Sequence, residues 1–567
     1  MAEECLIECV PNFSEGRDLA VIKQITEEIE AVEGVSLLDV DPGPAANRTV
    51  VTFVGAPGPV CEAAFRAVRK AAQLIDMSRH RGEHPRFGAT DVCPLVPVSG
   101  ITLEETAVHA RQLAKRIGEE LGIGVYCYEH AATSEQRRNL ADVRAGEYEG
   151  LPAKLARPEW KPDFGPVVFN PRAGVTAVGA RDFLIACNVN LNTTSTRWAN
   201  AIACDVREKG RPQRIGDPIV GEIATDAHGE PICIPGSLKC VKAIGWFIEE
   251  CGIAQVSMNL TNIGVTPLHV AFEEVCRKAQ ARGVRVTGME IVGLVPLRAM
   301  LEAGRYFLKQ QKRSFGVSES ELVKIAARSL GLGDLKPFVP EEKIIEYRLA
   351  AKARKGLADL TVRKFVEGTA SESPAPGGGS VAACVGALGA ALGTMVANLS
   401  AQKPGWDSRW EEFSNWAEQG KAHHEALLRL VDEDTRAFNQ VIKARAMPKV
   451  TEAEKTARSQ ALAEANRAAT EVPLRIMRAA LTSMDVIKAM AETGNPNSVS
   501  DAGVGALCAR AAVAGAWLNV RINLPGNRDH DFVKRVEAEG IALSQRAQAM
   551  EAEILAKVES VLTSRKA

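Results

Sequence analysis

The sequence predicts two architectures in one chain: an α+β N-terminal part of two ferredoxin-like βαββαβ subdomains, then an all-α helical bundle. Three observations carry this. Short apolar runs alternate with amphipathic stretches through the first half, as strands and helices do in turn. The order strand, helix, strand, strand, helix, strand occurs twice. Composition then shifts near residue 350: eleven of the thirteen cysteines precede residue 277 and all five tyrosines precede residue 348. The chain changes class there.

In the first repeat, 5–10 reads as a strand, 18–32 as a helix, 35–41 and 49–54 as strands, 59–75 as a helix and 92–98 as a strand. A helix over 103–121 and a strand over 124–128 follow. In the second repeat the strands are 183–191, 241–246, 254–259 and 284–292, with helices over 196–208 and 267–282. Identity between the repeats is too weak to establish a duplication. The charged seam EYRLAAKARKGLADLT spans 346–361. We therefore divide the chain into subdomains at 1–180 and 181–335, a linker at 336–358 and a helical domain at 359–567. In the last, strong helix formers break only at 374–379, 403–405, 447–449, 494–497 and 523–529.

With 567 residues the chain is too long for one core. A net charge of -1 without blocks of like charge argues against a nucleic-acid or membrane-surface partner. The opening MAEECLIECVPNF shows no signal peptide. Cysteines without a CxxC pair point to free thiols in a reducing, cytoplasmic compartment and to no metal site. The uncharged stretch 374–402 is mostly Ala and Gly, which favours a buried helix over a membrane span.

Several stretches carry chemistry. SRHRGEHPRFGATDVCP (78–94) crowds His80, His84, Arg79, Arg81 and Arg86 into a loop. Nearby cations disfavour imidazolium, so His84 is a candidate base; a solvated surface loop is the alternative. VSLLDVDPG puts Asp39 and Asp41 on one side of a strand end, where Asp41 either orients a partner or closes an Asx-turn. GPVVFNPRAG (165–174) and GSLKCVKAIG (236–245) offer backbone N–H groups and cations, or simply lead into strands. In EALLRLVDEDTRAFNQVI, helical spacing aligns Leu427, Leu430, Val431, Phe438 and Val441, with Asp434 among them. An acid on a core stripe suits proton transfer if its pKa is raised, or it is a structural carboxylate. SESPAPGGGSVAAC places Gly377, Gly378, Gly379 and Ser380 directly before a helix, a candidate anion site. No GK[ST] follows, so no nucleotide is expected. Gly386, Gly389 and Gly393 invite close packing by the segment 501–520.

Together IECVPNFSEGR, LLDVDPGPAANRTV, IDMSRHRGEHPRFGATDVCP, RAGEYEGLP and GLVPLRAM resemble the formiminotransferase part of the formimidoyltransferase-cyclodeaminase family. SPAPGGGSVAA, ALGAALGTMV, LVDEDTRAF and the INLPGNRD region resemble its cyclodeaminase part. The resemblance implies transfer of a formimino group between N-formimino-L-glutamate and tetrahydrofolate. Cyclisation of 5-formiminotetrahydrofolate to 5,10-methenyltetrahydrofolate then releases ammonia. It implies tetrahydrofolate, often polyglutamylated, as co-substrate, a ring-like homo-oligomer, and no metal, flavin or nicotinamide. The catalytic residues carried over are His84 and Asp434. The folate segments fall on Gly165, Pro166, Val167, Val168, Phe169, Asn170, Pro171, Arg172, Ala173 and Gly174, and on Gly236, Ser237, Leu238, Lys239, Cys240, Val241, Lys242, Ala243, Ile244 and Gly245. The stretch 207–235 is longer than expected of animal members. A formiminoglycine-specific transferase and a catalytically silent folate-binding scaffold are the alternatives.

Overall fold

The computed structural model describes residues 5–44, 47–82, 86–216, 221–226, 229, 231–249, 251–352, 356–373 and 375–564. They form two compact units: Met1–Met300 with Leu330–Lys352, and Leu301–Ser329 with Ala353–Ala567. The N-terminal region is mixed α/β and the C-terminal region is helical.

The first unit begins with β1 (Leu6–Cys9), β2 (Asn12–Phe13), α1 (Leu19–Glu30), β3 (Val35–Gly43), β4 (Arg48–Gly55), α2 (Pro57–Leu74) and β5 (Thr90–Ser99). There follow α3 (Leu103–Leu121), β6 (Gly124–Glu129), α4 (Leu140–Arg144), α5 (Leu151–Leu155) and β7 (Val175–Ala180). β4 pairs with β3 on one side and with β1 and β2 on the other, and β1 and β2 pair with β5, all antiparallel. β7 then lies parallel between β5 and β6. Strand alternation sends Ile7 and Cys9 into a core with Ile25, Ile29, Ala64, Val68 and Leu113 of the helices, and Glu8 to the other face. Asp18 caps α1 through Ala20 and Val21, and Thr102 with Glu105 makes a capping box on α3.

β7 was not expected from the sequence. VTAVGA lacks the polar alternation of a half-buried strand because every residue in it is buried. A Cβ at Gly179 would lie 2.5 Å from the Tyr128 ring, so the strand must carry glycine there.

A second sheet uses β8 (Ile185–Leu191), α6 (Thr196–Val206), β9 (Arg211–Pro212), β10 (Arg214–Ile215), β11 (Glu222–Ile223), β12 (Cys233–Ile234), β13 (Val241–Ile248), β14 (Ile253–Leu260), α7 (Leu268–Gln280) and β15 (Val286–Val292). Its order is β13-β14-β8-β15, all antiparallel. Within 207–235, β9 pairs with β12 and β10 with β11, giving a two-rung ribbon.

The remaining helices are α8 (Leu297–Gln310), α9 (Glu319–Ser329), α10 (Pro340–Lys343), α11 (Ile345–Lys352), α12 (Val362–Thr369), α13 (Gly378–Ala401), α14 (Trp410–Ala446), α15 (Glu452–Thr493), α16 (Val499–Asn523) and α17 (His530–Ser564). Residues 301–329 pack with the helical unit, although the sequence division assigns them to 181–335: Arg305 pairs with Glu418 and the Gly316 carbonyl accepts from Asn398. Two helices, Gly378–Ala401 and Pro496–Gly526, are long and apolar enough to cross a membrane. The first packs against α14, α15 and α16 through its glycines. A Cβ at Gly389 would stand 2.8 Å from the Gly505 carbonyl, and one at Gly393 would stand 3.0 Å from Ile487. This is the α13–α16 approach that the small-residue spacing foretells.

Replacing Gly389 by Val is therefore expected to destabilise the helical unit by about 1–3 kcal/mol, the usual range for overpacking. Thermal unfolding of the purified chain reads this, and an unchanged midpoint contradicts the close approach.

Candidate active sites

The first site is built around the turn from β3 to β4. Asn47 adopts the left-handed region (φ 47°), where Asn is tolerated better than most residues. Its Oδ1 accepts from Gly16 N at 3.0 Å and its Nδ2 donates to the Arg81 carbonyl at 3.0 Å. Its own carbonyl meets Nε2 of His80 at 2.8 Å. That carbonyl only accepts, so Nε2 carries the proton. Nδ1 of His80 accepts from Arg86 Nε at 3.3 Å. Both nitrogens of buried His80 are thus committed, and its pKa is lowered, first by burial. His80 is a structural pin. His84, with Glu83 and Pro85, lies outside the described residues.

The arginines of the motif differ in kind. Arg86 is buried and donates through Nη1 and Nη2 to Glu149 at 2.9 and 2.7 Å, with Glu147 3.4 Å away. It ties the loop to RAGEYEG. Arg79 is exposed, 3.7 Å from Asp76. Arg81 is exposed and donates to the His80 carbonyl. Beneath them, fully buried Asp91 accepts from Arg48 and, at 2.8 Å, from Arg144, and takes the Phe87 N–H at 3.0 Å. Arg48 also donates to Asn12. Four separated stretches of sequence thus meet in one buried charge network.

The segment 165–174 is brought to this loop. The Arg172 carbonyl accepts from Met77 N and the Ala173 carbonyl from Ala89 N, both at 2.9 Å, so the segment braces both flanks of 78–88. Asn170 Oδ1 caps the turn by accepting from Arg172 N and Ala173 N, and Phe169 packs on Tyr148 at 5.5 Å. Gly165, Pro166, Val167 and Val168 are exposed. Gly174 (φ 66°) lies so close to the Phe87 carbonyl that a Cβ would come within 2.2 Å.

The segment 236–245 belongs to the second sheet. Gly236 and Ser237 lie against the Arg207 and Asp205 carbonyls, Lys239 is 3.6 Å from Glu208, and Cys240 N donates to Glu208. On β13, Val241 and Ala243 are buried while Lys242 and Ile244 are exposed on the other face. Burial raises the pKa of Glu129, at the end of β6, and the charge of Lys242 opposes this. Asp41 is exposed on β3; partial burial and Asp39 raise its pKa, and Lys343 lowers it. Asp39 itself lies 3.4 Å from Arg348. Sequence reasoning missed Glu8. It is buried, with its pKa raised to about 7 by burial, against the opposing charge of Arg181. The alternation in LIEC hides it, because a residue opposite the core is normally solvated.

The second site lies where α13 begins. Asp434 on α14 reaches the first turn of α13: Ser380 Oγ lies 3.2 Å from its Oδ2 and 2.8 Å from the Val431 carbonyl. A Cβ at Gly379 would come within 2.2 Å of Asp434 Oδ1, so only glycine admits the carboxylate. Burial raises the Asp434 pKa, and bonds from the Ser380 hydroxyl and backbone oppose the rise. The anion position expected at this helix N-terminus is thus occupied by the chain's own acid. Leu427, Leu430, Val431 and Val441 are buried as the stripe predicts, whereas Phe438 is 37% exposed. Asp432 accepts from Leu357 N at 2.6 Å, and Glu433 pairs with Arg475 at 2.5 Å. Among the described residues no cluster of His, Cys, Asp and Glu is suited to a metal ion.

Residues 6–181 match the formiminotransferase domain, N-terminal subdomain; 186–350 match the formiminotransferase domain; 361–540 match the formiminotransferase-cyclodeaminase family. The formimidoyltransferase-cyclodeaminase of Gallus gallus is 44% identical over 555 residues, 98% of this chain and 99% of its own. This chain belongs to the formimidoyltransferase-cyclodeaminase family. Two shorter proteins each match part of it. The glutamate formimidoyltransferase of Streptococcus pyogenes serotype M1 is 42% identical over 304 residues, 54% of this chain and 93% of its own. The methenyltetrahydrofolate cyclohydrolase of Methylorubrum extorquens is 38% identical over 193 residues, 33% of this chain and 93% of its own. The first candidate site lies within the segment that matches the formiminotransferase N-terminal subdomain, and Asp434 within the segment that matches formiminotransferase-cyclodeaminase.

A raised carboxyl pKa makes stability fall as pH rises from the unfolded value, about 3.9, through the folded one. Asp434→Asn removes that titration. Its midpoint advantage over the parent is expected to be absent near pH 4 and to grow to roughly 2–4 °C at neutral pH. Calorimetry across pH checks this, and an advantage independent of pH contradicts the buried-acid reading.

Proposed function

We infer that this chain is a bifunctional folate enzyme. It transfers a formimino group between N-formimino-L-glutamate and tetrahydrofolate, then closes 5-formiminotetrahydrofolate to 5,10-methenyltetrahydrofolate with release of ammonia. The observation that carries this is the 44% identity to a formimidoyltransferase-cyclodeaminase along 98% of the chain. Each part also has its own proton-transfer group.

In the transferase step the folate nitrogen attacks the formimino carbon, giving a tetrahedral intermediate. His84 takes the proton from the attacking nitrogen and returns it to the departing glutamate amine. Supporting this assignment, His80 is locked in one tautomer, Arg86 is neutralised by Glu149, and 169–174 braces the loop beside which folate is read to bind. In the second step the other folate nitrogen attacks the same carbon. Asp434 takes its proton and delivers it to the leaving ammonia. Its raised pKa, next to a glycine that leaves space at residue 379, suits that shuttle. No metal, flavin or nicotinamide enters either step. We further read each βαββαβ set as ferredoxin-like. In both sheets the second, third, first and fourth strands of the set lie side by side in that order.

One observation favours a second reading of the helical unit: a relative 38% identical over 193 residues is a methenyltetrahydrofolate cyclohydrolase. Water, with its proton taken by Asp434, would then add to the methenyl carbon and open the ring. Ammonia release with accumulating methenyl absorbance separates cyclodeamination from hydrolysis, in which that absorbance decays.

His84→Ala is expected to abolish transfer to tetrahydrofolate while sparing ammonia release from supplied 5-formiminotetrahydrofolate, and Asp434→Asn to do the reverse. Losses of 100-fold or more fit removal of a general acid-base, worth about 10²–10⁴. Loss of both activities in either folded variant sinks the two-site assignment.

We also infer a homo-oligomer. Val504, Leu507, Leu518 and Ile522 are exposed along one stripe of α16, which a second copy would cover. Ile522→Glu is expected to lower the mass measured by light scattering; an unchanged mass removes this face from the interface.

A further inference from the structure

Four asparagines gather where α16 ends: Asn519 and Asn523 on α16, Asn527 just after it, and Asn466 on α15. All four are partly buried, and each spends its donor on the protein. Asn519 Nδ2 donates to the Gly515 carbonyl at 2.9 Å and Asn523 Nδ2 to the Ala469 carbonyl at 2.7 Å. Asn527 Nδ2 donates to the Asn523 carbonyl and Asn466 Nδ2 to the Gly526 carbonyl, both at 3.1 Å. A carbonyl only accepts, so each amide is held in one orientation. Among the described residues, none donates to the Oδ1 of any of the four. None of these oxygens is among the sealed side-chain atoms that lack a partner, so all four reach solvent. They are open acceptors whose direction the fold has fixed.

The group borders the second site. A Cβ at Gly378 would lie 3.1 Å from Asn519 Nδ2 and 3.3 Å from its Oδ1, and one at Gly379 would lie 2.2 Å from Asp434 Oδ1. Asn519 and Asp434 thus approach neighbouring residues of one turn from two different helices. Asn523 stands one turn beyond Asn519 on the same face of α16, where Cβ atoms are about 5–6 Å apart. Acceptors whose donors are already spent select a ligand edge that offers N–H groups. On the reading of this site as one that holds 5-formiminotetrahydrofolate, the matching group is the pterin, whose N3–H and 2-amino group lie side by side. The far side of that ring carries N5 and, through C6, the arm with N10, the two nitrogens between which the one-carbon unit closes.

We propose that Asn519 and Asn523 bind the pterin ring in the second site by accepting from its N3–H and 2-amino group, which turns the N5 side of the ring toward Asp434. Asn466 and Asn527 hold the turn at 524–527 and with it the end of α16. This assignment rests on the folate reading given above.

The test measures ammonia release from supplied 5-formiminotetrahydrofolate by the full chain. Asn519→Ala is expected to raise KM about tenfold, the upper range for one hydrogen bond. Its kcat is expected to stay within about threefold, as loss of uniform binding does. Asn519→Asp keeps the acceptor and loses the donor, so it is expected to bring KM back to within about threefold of the parent. A purely structural amide predicts otherwise, since both variants lose the bond to the Gly515 carbonyl. An unchanged KM in Asn519→Ala, equal loss in both variants, or a fall in kcat alone overturns the proposal. Crystals of the full chain soaked with 5-formyltetrahydrofolate, which releases no ammonia, read the contact apart from turnover and without any variant having to fold. The ring is expected in the second site with N3 and the 2-amino group in hydrogen-bond reach of Asn519 and Asn523. A ring seated there by another edge, or no ring there, overturns the proposal even where ammonia release is intact. A parent that releases no ammonia yet holds the ring by this edge overturns the cyclodeaminase reading and supports the acceptor site.

Discussion

The carboxylate of Asp434 reaches the first turn of α13 only because residue 379 has no side chain. That contact places opposing forces on one group. Burial disfavours its charge, while the free N–H groups and dipole of a helix start favour it. Ser380 adds a hydroxyl that the Val431 carbonyl also draws on. The balance leaves an acid whose pKa is raised yet which still has partners for the charged form, the condition for taking a proton and giving it back. The glycines farther along α13 serve the same end, since Gly389 and Gly393 set the helix against α16 and α15 and so fix where its N-terminus lies.

The α/β unit meets the same requirement by different means. Its first site is held by buried charges that would be costly if unpaired. Arg48 and Arg144 share Asp91, Arg86 is divided between Glu149 and Glu147, and Asn47 satisfies groups from Gly16, His80 and Arg81 at once. Because the partners come from widely separated segments, His80 and Arg86 are held by contacts that only the folded chain brings together.

Legibility in the sequence followed the range of the interaction. Asp434 was legible because helical spacing alone sets it among Leu427, Leu430 and Val431, and the α13–α16 pairing was legible from glycine spacing. Most strands of both sheets were readable from alternation. Two kinds of feature were not. VTAVGA hides β7, since a strand buried on both faces loses its period. Long-range pairing was equally invisible: Arg86 looks like a free cation until Glu149, sixty-three residues on, cancels it, and Glu8 looks solvated until the chain closes over it. His84 was singled out by sequence and lies outside the described residues.

That cancellation changes the electrostatic argument for the first site. Along the sequence, three arginines surround the motif with positive charge, which would keep an imidazole neutral. In the fold Arg86 is paired twice, and Arg79 and Arg81 are exposed, where solvent screens them. Their field is weaker than the count suggests. What the structure does hold fixed is the neighbouring imidazole: His80 is neutral because burial lowers its pKa and because one nitrogen faces a carbonyl while the other faces a guanidinium. A ring held in that way cannot accept and return a proton without breaking one of those bonds. Our proposal of His84 as the proton-transfer group is therefore supported by the hydrogen-bond occupancy of His80 and not by nearby charge.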